Sequence, residues 1–341
     1  MASMVEHQLG FKKESTFGTA VTVDRFLEFN SAPPKFEKTI EQGDGARPGG
    51  RVERGKHRSV TATRGTLDIE QVVMSSGFGT MFELLMGTGS SEEVSTDLYQ
   101  QLFTFGTTNR KPSATIQVGV VMADASGTVS PITLVGAFCN SFELSIAQAG
   151  LLTLKSSWVA KEYKTDVTLA TASYADDTED FQFVGASLIV GGSVTVPTST
   201  ALASGGTEVG TVTDFSISVD HGGDEGQAFI GGGGLIGRAG VPGRAMITGS
   251  IKQEYQSNTF RDAVLADTPL ALVATFEGLT DITSGNKPTV QIVCPQIRFD
   301  DGLPEPDTEN APAQDLTFKA FDDDVAAQAI YLVVRTGDTA L

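Results

Sequence analysis

Residues Ala228 to Gly249 read AFIGGGGLIGRAGVPGRAMITG, and from Gly232 to Gly237 the run satisfies the pattern G-x-G-x-x-G. The element after the glycines decides the fold. In a dinucleotide-binding α/β fold they lie between a strand and a helix, whose N-terminal amides and dipole meet a pyrophosphate. Here Gly237 leads into RAGVPGRAMITGSIK, where Gly240, Pro242 and Gly243 break a helix and the next apolar alternation is that of a strand. The Walker pattern G-x-x-x-x-G-K-[ST] fails as well, because Arg238 and Ala239 stand where a lysine and a magnesium-binding hydroxyl belong. The run is expected to be an exposed connection between two strands.

Strand patterns extend outward from it in both directions. Apolar residues alternate in RGTLDIEQVV (Leu67, Ile69), NSFELSI (Phe142, Leu144, Ile146), LLTLKSSW (Leu152, Leu154, Trp158), DFSISVD (Phe215, Ile217, Val219) and AMITGSIKQEY (Ile247, Ile251, Tyr255). Two short amphipathic helices are predicted. One is Gly77 to Met86, with Phe78, Met81, Phe82 and Leu85 on one stripe; the other is Thr259 to Ala266, stopped by Pro269. Each has one apolar side and needs a sheet to cover it. The fold class is mainly β.

The order of elements repeats. Strand Arg25 to Asn30, glycine-rich loop Gly43 to Arg58, strand SVTATRGTLDIEQ, helix, strand TIQVGVV and a strand beginning GAFCNSFEL are matched by DFSISVD, loop His221 to Arg244, AMITGSIKQEY, helix, ALVATF and QIVCPQIRF. Gly65-Thr66-Leu67 aligns with Gly249-Ser250-Ile251, and Cys139 with Cys294, so the cysteines read as equivalent core residues rather than a bonded pair. The segment Gly89 to Lys111 is an insertion in the first half. Two tandem β-sandwich units are expected, residues 1–175 and 176–341, each with one short helix on a sheet; the boundary falls within Thr168 to Asp180.

Charge separates the chain differently. Of 341 residues, 24 are Lys or Arg and 42 are Asp or Glu, a formal charge of −18. Residues 1–64 carry 11 basic and 8 acidic side chains, a net of +3, which leaves −21 for residues 65–341. A nucleic-acid binder needs a basic footprint to neutralise phosphates, and most of this chain would repel DNA. No apolar run reaches the roughly 18 to 20 residues of a membrane span, and MASMVEHQLGFKKE has no apolar middle of a signal peptide. The chain is expected to be made and kept in a cytoplasm.

Catalytic and metal chemistry find no foothold. Cys139, Cys294, His7, His57 and His221 have no metal-ligand spacing, and no serine sits in a G-x-S-x-G elbow. The acidic runs Asp176–Asp180, Phe299–Asp307 and Phe321–Val325 lack the EF-hand pattern and read as solvated loops; Asp300, Asp301, Glu305 and Asp307 would make at most a weak cation site. No enzyme, no cofactor and no resident metal is expected.

The phrases KESTFGTAVTVDRFLEF, RGTLDIEQV leading into GFGTMFELLMGTG, LVGAFCNSFELSIAQAGLLTLKSSWVAKEY, AMITGSIKQEY and CPQIRFDDGLPEPDTE, with the closing LTFKAFDDD and IYLVV, resemble major tail tube proteins of long-tailed, non-contractile (siphovirus) bacteriophages. The resemblance covers nearly the whole chain. It implies a β-sandwich with a helix against it, inner sheets that form the wall of a ring, and rings that stack through loops and termini into the virion's tail tube. It further implies self-association, a tape measure protein and a tail terminator as partners, an acidic lumen that viral DNA only transits, assembly in the host bacterial cytoplasm and no membrane association. A doubled chain would close a pseudo-hexameric ring with three copies rather than six. The resemblance makes the two glycine-rich loops the inter-subunit contacts, carried by Arg47, Arg51, Arg54, Lys56 and Arg58 in the first and by Gly232, Gly234 and Arg238 in the second. The alternative reading is a β-sandwich surface-binding or decoration module of a particle, which the scarcity of aromatics in the loops disfavours.

Overall fold

A computed structural model describes residues 6–123, 127–176, 178–304 and 311–341, so Asp177, Glu305 and Asp307 of the acidic runs lie outside the described residues. The first half runs β1 (Gln8–Lys13), β2 (Arg25–Leu27), β3 (Pro34–Gln42), β4 (Arg58–Val72), α1 (Gly79–Met86), β5 (Gly87–Ser95), β6 (Leu98–Phe105), β7 (Ala114–Val121), β8 (Val129–Ile146), β9 (Thr153–Ala160) and β10 (Glu162–Lys164). The second runs β11 (Ala186–Val190), β12 (Val194–Thr195), β13 (Ser204–Gly205), β14 (Val212–Asp220), β15 (Met246–Glu254), α2 (Thr259–Ala266), β16 (Leu270–Glu277), β17 (Thr289–Asp301), β18 (Ala313–Phe321) and β19 (Tyr331–Thr336). The protein is mainly β, and the described pairings between strands are antiparallel. Both predicted helices form.

Two long strands organise it. β8 is half in one layer and half in another: residues 129–137 pair with β7, residues 138–145 with β9. β17 does the same, with residues 289–297 against β16 and 296–301 against β18. Each strand therefore turns a corner of a sandwich, and the apolar residues of its two layers close on a shared core that includes Leu134, Phe142, Leu144, Trp158, Cys294, Ile297, Phe299 and Phe318.

The pairing order around the two strands is the same. β3–β4–β9–β8–β7–β1 in the first half corresponds to β14–β15–β18–β17–β16–β11 in the second. The irregularities coincide too. A bulge between Cys139 and Ser141 opposite Trp158 and Ser157 is repeated between Phe299 and Asp301 opposite Phe318 and Thr317, 160 residues later. The bulge that takes Ala114/Ala137 to Ile116/Leu134 recurs from Leu270/Ile297 to Leu272/Cys294. Bulges are specific features of a strand pair, not noise.

This register corrects three details of the sequence reading. Cys139 corresponds to Phe299, and Cys294 to Leu134, so the cysteines are not equivalent; both are buried and free, with thiols pushed up to about 12 by desolvation. Gly249 corresponds to Leu67, two residues from Gly65, because these are the residues opposite Phe318 and Trp158. The strand before the first loop is β3, not Arg25 to Asn30. β3 escaped notice because its exposed faces remove the apolar alternation, while β2 pairs with β1 instead.

The insertion is also more than a connection. β5 and β6 form a hairpin whose β6 pairs with β19, so the first half extends the outer sheet of the second. At the other end of the chain β1 is tied down by Glu14, a buried carboxylate that accepts from the Gly18 and Gly136 backbone N–H groups (2.8 Å each) and the Ser113 and Thr115 hydroxyls (2.9 Å each). Removing it by Glu14→Ala leaves these donors unpaired in a dry site, at about 1–3 kcal/mol each for those that water does not reach. The expected loss is roughly 3 kcal/mol or more, measured as a lower urea midpoint with unchanged m-value.

Candidate assembly interface

A polar-faced ladder crosses the molecule. β14 pairs with β9's neighbour β8 through Ser141–Ile146 against Phe215–Asp220, so one continuous run of strands reads β3–β4–β9–β8–β14–β15–β18–β17. Alternation splits it into two faces. Leu67, Phe142, Leu144, Leu154, Ile217 and Phe318 point to the core, while Asp68, Glu70, Glu143, Lys155, Asp214 and Lys252 point away from it. On the outward face two lysines are flanked by acids on both neighbouring strands: Lys155 lies opposite Glu70 and Glu143, Lys252 opposite Asp214 and Asp315, whereas Lys319 stands opposite Thr248 and Arg298 and pairs with Asp300. Opposite charges across a strand pair attract, and the surplus of acids leaves the face negative.

From one end of this ladder the β3–β4 hairpin projects. No residue of segment 43–58 is buried. The tip is shaped by backbone bonds: Gly43 N–H donates to the His57 carbonyl (3.1 Å), His57 N–H and the Gln42 side-chain amide donate to the Arg54 carbonyl (2.9 and 3.2 Å), and Gly50 N–H donates to that of Arg47 (3.2 Å). Arg47, Arg51, Lys56 and Arg58 are exposed and Arg54 is half-buried; among the described residues none of the five pairs with a carboxylate. Val52 stands among them 84% exposed.

The second glycine-rich loop behaves otherwise, although it occupies the same slot between β14 and β15. It folds back over the corner of β8, where Ile236 and Ala239 pack on Phe138 and Val159 with Phe17 at the side. Gly234, at φ +77°, accepts from Thr63 N–H (3.0 Å) and passes so close to Thr61 that a Cβ would lie 2.6 Å from its carbonyl oxygen, so only glycine fits. Gly232 N–H closes a turn onto the Phe229 carbonyl (3.0 Å), leaving Phe229 half-exposed and Ile230 fully so at the tip. Arg238 is committed inside the loop to Asp224, whose carboxyl it holds well below the usual range together with the Val241 and Gly226 N–H groups. No helix comes after the glycines; the chain passes into β15.

The structure thus separates the residues singled out in sequence. The five basic ones share one free hairpin, whereas Gly232, Gly234 and Arg238 belong to a loop clamped to the body. The clamp itself was missed: Lys111 Nζ donates to Asn140 Oδ1 (2.8 Å), Asn140 Nδ2 to Glu225 Oε1 (3.0 Å), and Arg64 bridges Glu225 (2.6 Å) and Glu37 (2.7 Å). Arg64 lowers the Glu37 pKa by this bond, and burial lowers that of Lys111, which also lies over the Phe138 ring. The chain of contacts joins the insertion, β8, the second loop, β4 and β3. No sequence pattern announces it, because its members are far apart in the chain.

A family model described as phage tail tube protein matches residues 5–320 of this chain. No curated protein sequence matches it.

At the base of the second loop His221 is buried between Phe105 and Phe142, and its Nε2–H donates to the Leu85 carbonyl (2.7 Å) at the end of α1. Burial, and then Lys111, lower its pKa. With the folded pKa below the unfolded one, the unfolded chain takes up the proton first as pH falls through about 6.5, so the contribution of His221 to stability is intact above that value and shrinks below it, by at most about 1.4 kcal/mol per unit. His221→Gln is therefore expected to flatten the fall in melting temperature between pH 7.5 and 5.5; an unchanged slope would show that His221 does not control it.

Proposed function

The chain belongs to the phage tail tube protein family, and from that premise we propose that it is a self-assembling subunit of stacked rings forming the channel for genome passage. The family is structural, and its place is the virion tail. The observation that carries the reading is the continuous ladder from β3 to β17: it runs through both halves, and among the described residues β3 at one end and residues Arg298–Asp301 of β17 at the other each have a strand partner on one side alone. A sheet with unpaired edges is a template for further pairing unless it is blocked or closed into a barrel.

The common pairing order and the common bulges support two copies of one sandwich unit in tandem, meeting near residues 175 and 176. Each unit then supplies four strands of the ladder. Three chains place 24 strands around a ring, a backbone diameter of about 37 Å at roughly 4.8 Å per strand if the strands run along the axis, whereas six chains double it. We favour the three-chain ring. Its lumen face is the polar side of the ladder, where acids outnumber bases and like charge keeps DNA from adhering.

Stacking falls to the hairpin arm. Its net charge of +3 (Arg47, Arg51, Arg54, Lys56 and Arg58 against Asp44 and Glu53) contrasts with −21 over residues 65–341, so the arm is complementary to the predominantly acidic body of a neighbouring copy. Val52 adds an apolar tip to it. Gly232, Gly234 and the exposed Ile230 make the second loop a further candidate contact, with Arg238 shaping it from within. Tape measure and tail terminator proteins are the other partners this function requires.

Two experiments address these points. Negative-stain microscopy of the purified protein is expected to show long hollow tubes, and their reconstruction three chains per ring with pseudo-sixfold walls; six whole chains per ring would overturn the trimer. Deleting Gly45 to Lys56 removes no buried residue, so the monomer should keep its circular dichroism and melting temperature while tube formation is lost. Normal tubes from that deletion would refute the role of the arm.

A further inference from the structure

The ladder between β8 and β14 joins the two halves inside one chain, and among the described residues β3 and the end of β17 are the positions at which the same junction has no partner strand. Pro34 corresponds to Ile217, since they face Leu67 and Gly249, which in turn face Trp158 and Phe318. Asp301 corresponds to Ser141 through the repeated bulge. Resting on the reading of a self-assembling ring, we propose that β3 of one copy pairs with the end of β17 of the next in the register of the internal junction, Glu37 opposite Asp301, Phe36 opposite Gly302 and Lys35 opposite Leu303.

Four observations at these edges support the pairing. In the internal junction Val219 lies opposite Phe142 and both are buried; at the open edges Phe36 is 51% exposed and its counterpart opposite is Gly302, so the bulk has moved to the other strand and the pair is again large against small. Gly302, at φ +134°, has no room for a side chain because a Cβ would meet Leu316. Its N–H is held by the side chain of its own neighbour Asp301 (2.7 Å), a local substitute for a strand partner. Leu303 beside it is half-exposed.

The hydrogen-bond phase agrees. His221 N–H donates to the Asn140 carbonyl (3.1 Å), which makes 219/142 a bonded pair and 220/141 and 218/143 the closer, non-bonded ones. On β3, Ser31 and Glu70 exchange N–H···O bonds, so Ser31, Pro33 and Lys35 turn to β4 while Ala32, Pro34 and Phe36 turn to the open edge. Pro34 offers no N–H there, a feature that blunts an edge against indiscriminate pairing while leaving its carbonyl and the Phe36 N–H for the right partner. The two edges cannot serve each other in one chain, because seven strand spacings of roughly 4.8 Å hold them about 34 Å apart.

Glu37→Cys with Asp301→Cys places thiols at a non-bonded pair position, where Cα atoms approach to about 4.5 Å and a disulfide is geometrically allowed. Oxidised tubes of this variant are expected to give covalent dimers and trimers on non-reducing denaturing gels, as are those of Lys35→Cys with Leu303→Cys, while the mismatched Lys35→Cys with Asp301→Cys gives several-fold less. In unmodified tubes, peptides covering residues 32–37 and 301–303 should gain protection from amide hydrogen exchange relative to unassembled protein. Tubes without cross-links in either matched pair, or without that protection, would overturn the junction and leave the tube standing; failure of the wild-type protein to form tubes would overturn both.

Discussion

Everything else in this molecule depends on six residue pairs, Ser141–Ile146 of β8 against Phe215–Asp220 of β14. They join strands of the first half and strands of the second into one sheet. Without them Phe142, Leu144 and Ile146 on one side and Phe215, Ile217 and Val219 on the other would line exposed edges; with them a single hydrophobic core runs from Leu9 to Val334. Together with the β6–β19 pairing, the junction fixes how the second half sits on the first.

The polar groups are arranged to keep that junction in register. Lys111, Asn140, Glu225, Arg64 and Glu37 form one relay across its end. Partly buried bonds of this kind add little net stability but penalise any slipped arrangement, in which a donor or carboxylate would lose its partner. The second loop is fixed by the same relay and by the packing of Ile236 and Ala239. The first loop has no such surface within its own chain, and it remains a projecting hairpin.

The legible part of the fold was the part with alternation. Strands whose residues alternate between core and water, such as β4, β9, β14 and β15, are visible as a period of two, and both helices are visible from their stripes and stops; β6, with Leu98 and Phe103 buried, was hidden in the insertion. β3 was invisible because a hairpin arm has no buried side to impose a period. The element order common to the two halves was visible, but the register was not: matching glycines and cysteines drew Gly65 to Gly249 and Cys139 to Cys294, whereas strand pairing sets Leu67 beside Trp158 as Gly249 is beside Phe318, and Cys139 beside Trp158 as Phe299 is beside Phe318. A buried cysteine substitutes for Leu or Phe at a core position, so residue identity is a poor guide to equivalence there.

For the candidate interface the division is similar. The sequence by itself determined the class of the fold, the glycine run's entry into a strand rather than a helix, the basic character of the first loop and the acidic body, because composition and period are local properties. Tertiary structure decided that one loop projects while its counterpart is clamped, that Arg238 is spent on Asp224, and that the insertion completes the far sheet through β6 and β19. It also decided where β8 meets β14 and which edges remain open. Those facts depend on which surfaces lie within reach once the chain is folded, and pairing between residues 69 to 79 positions apart leaves no periodic trace in the sequence.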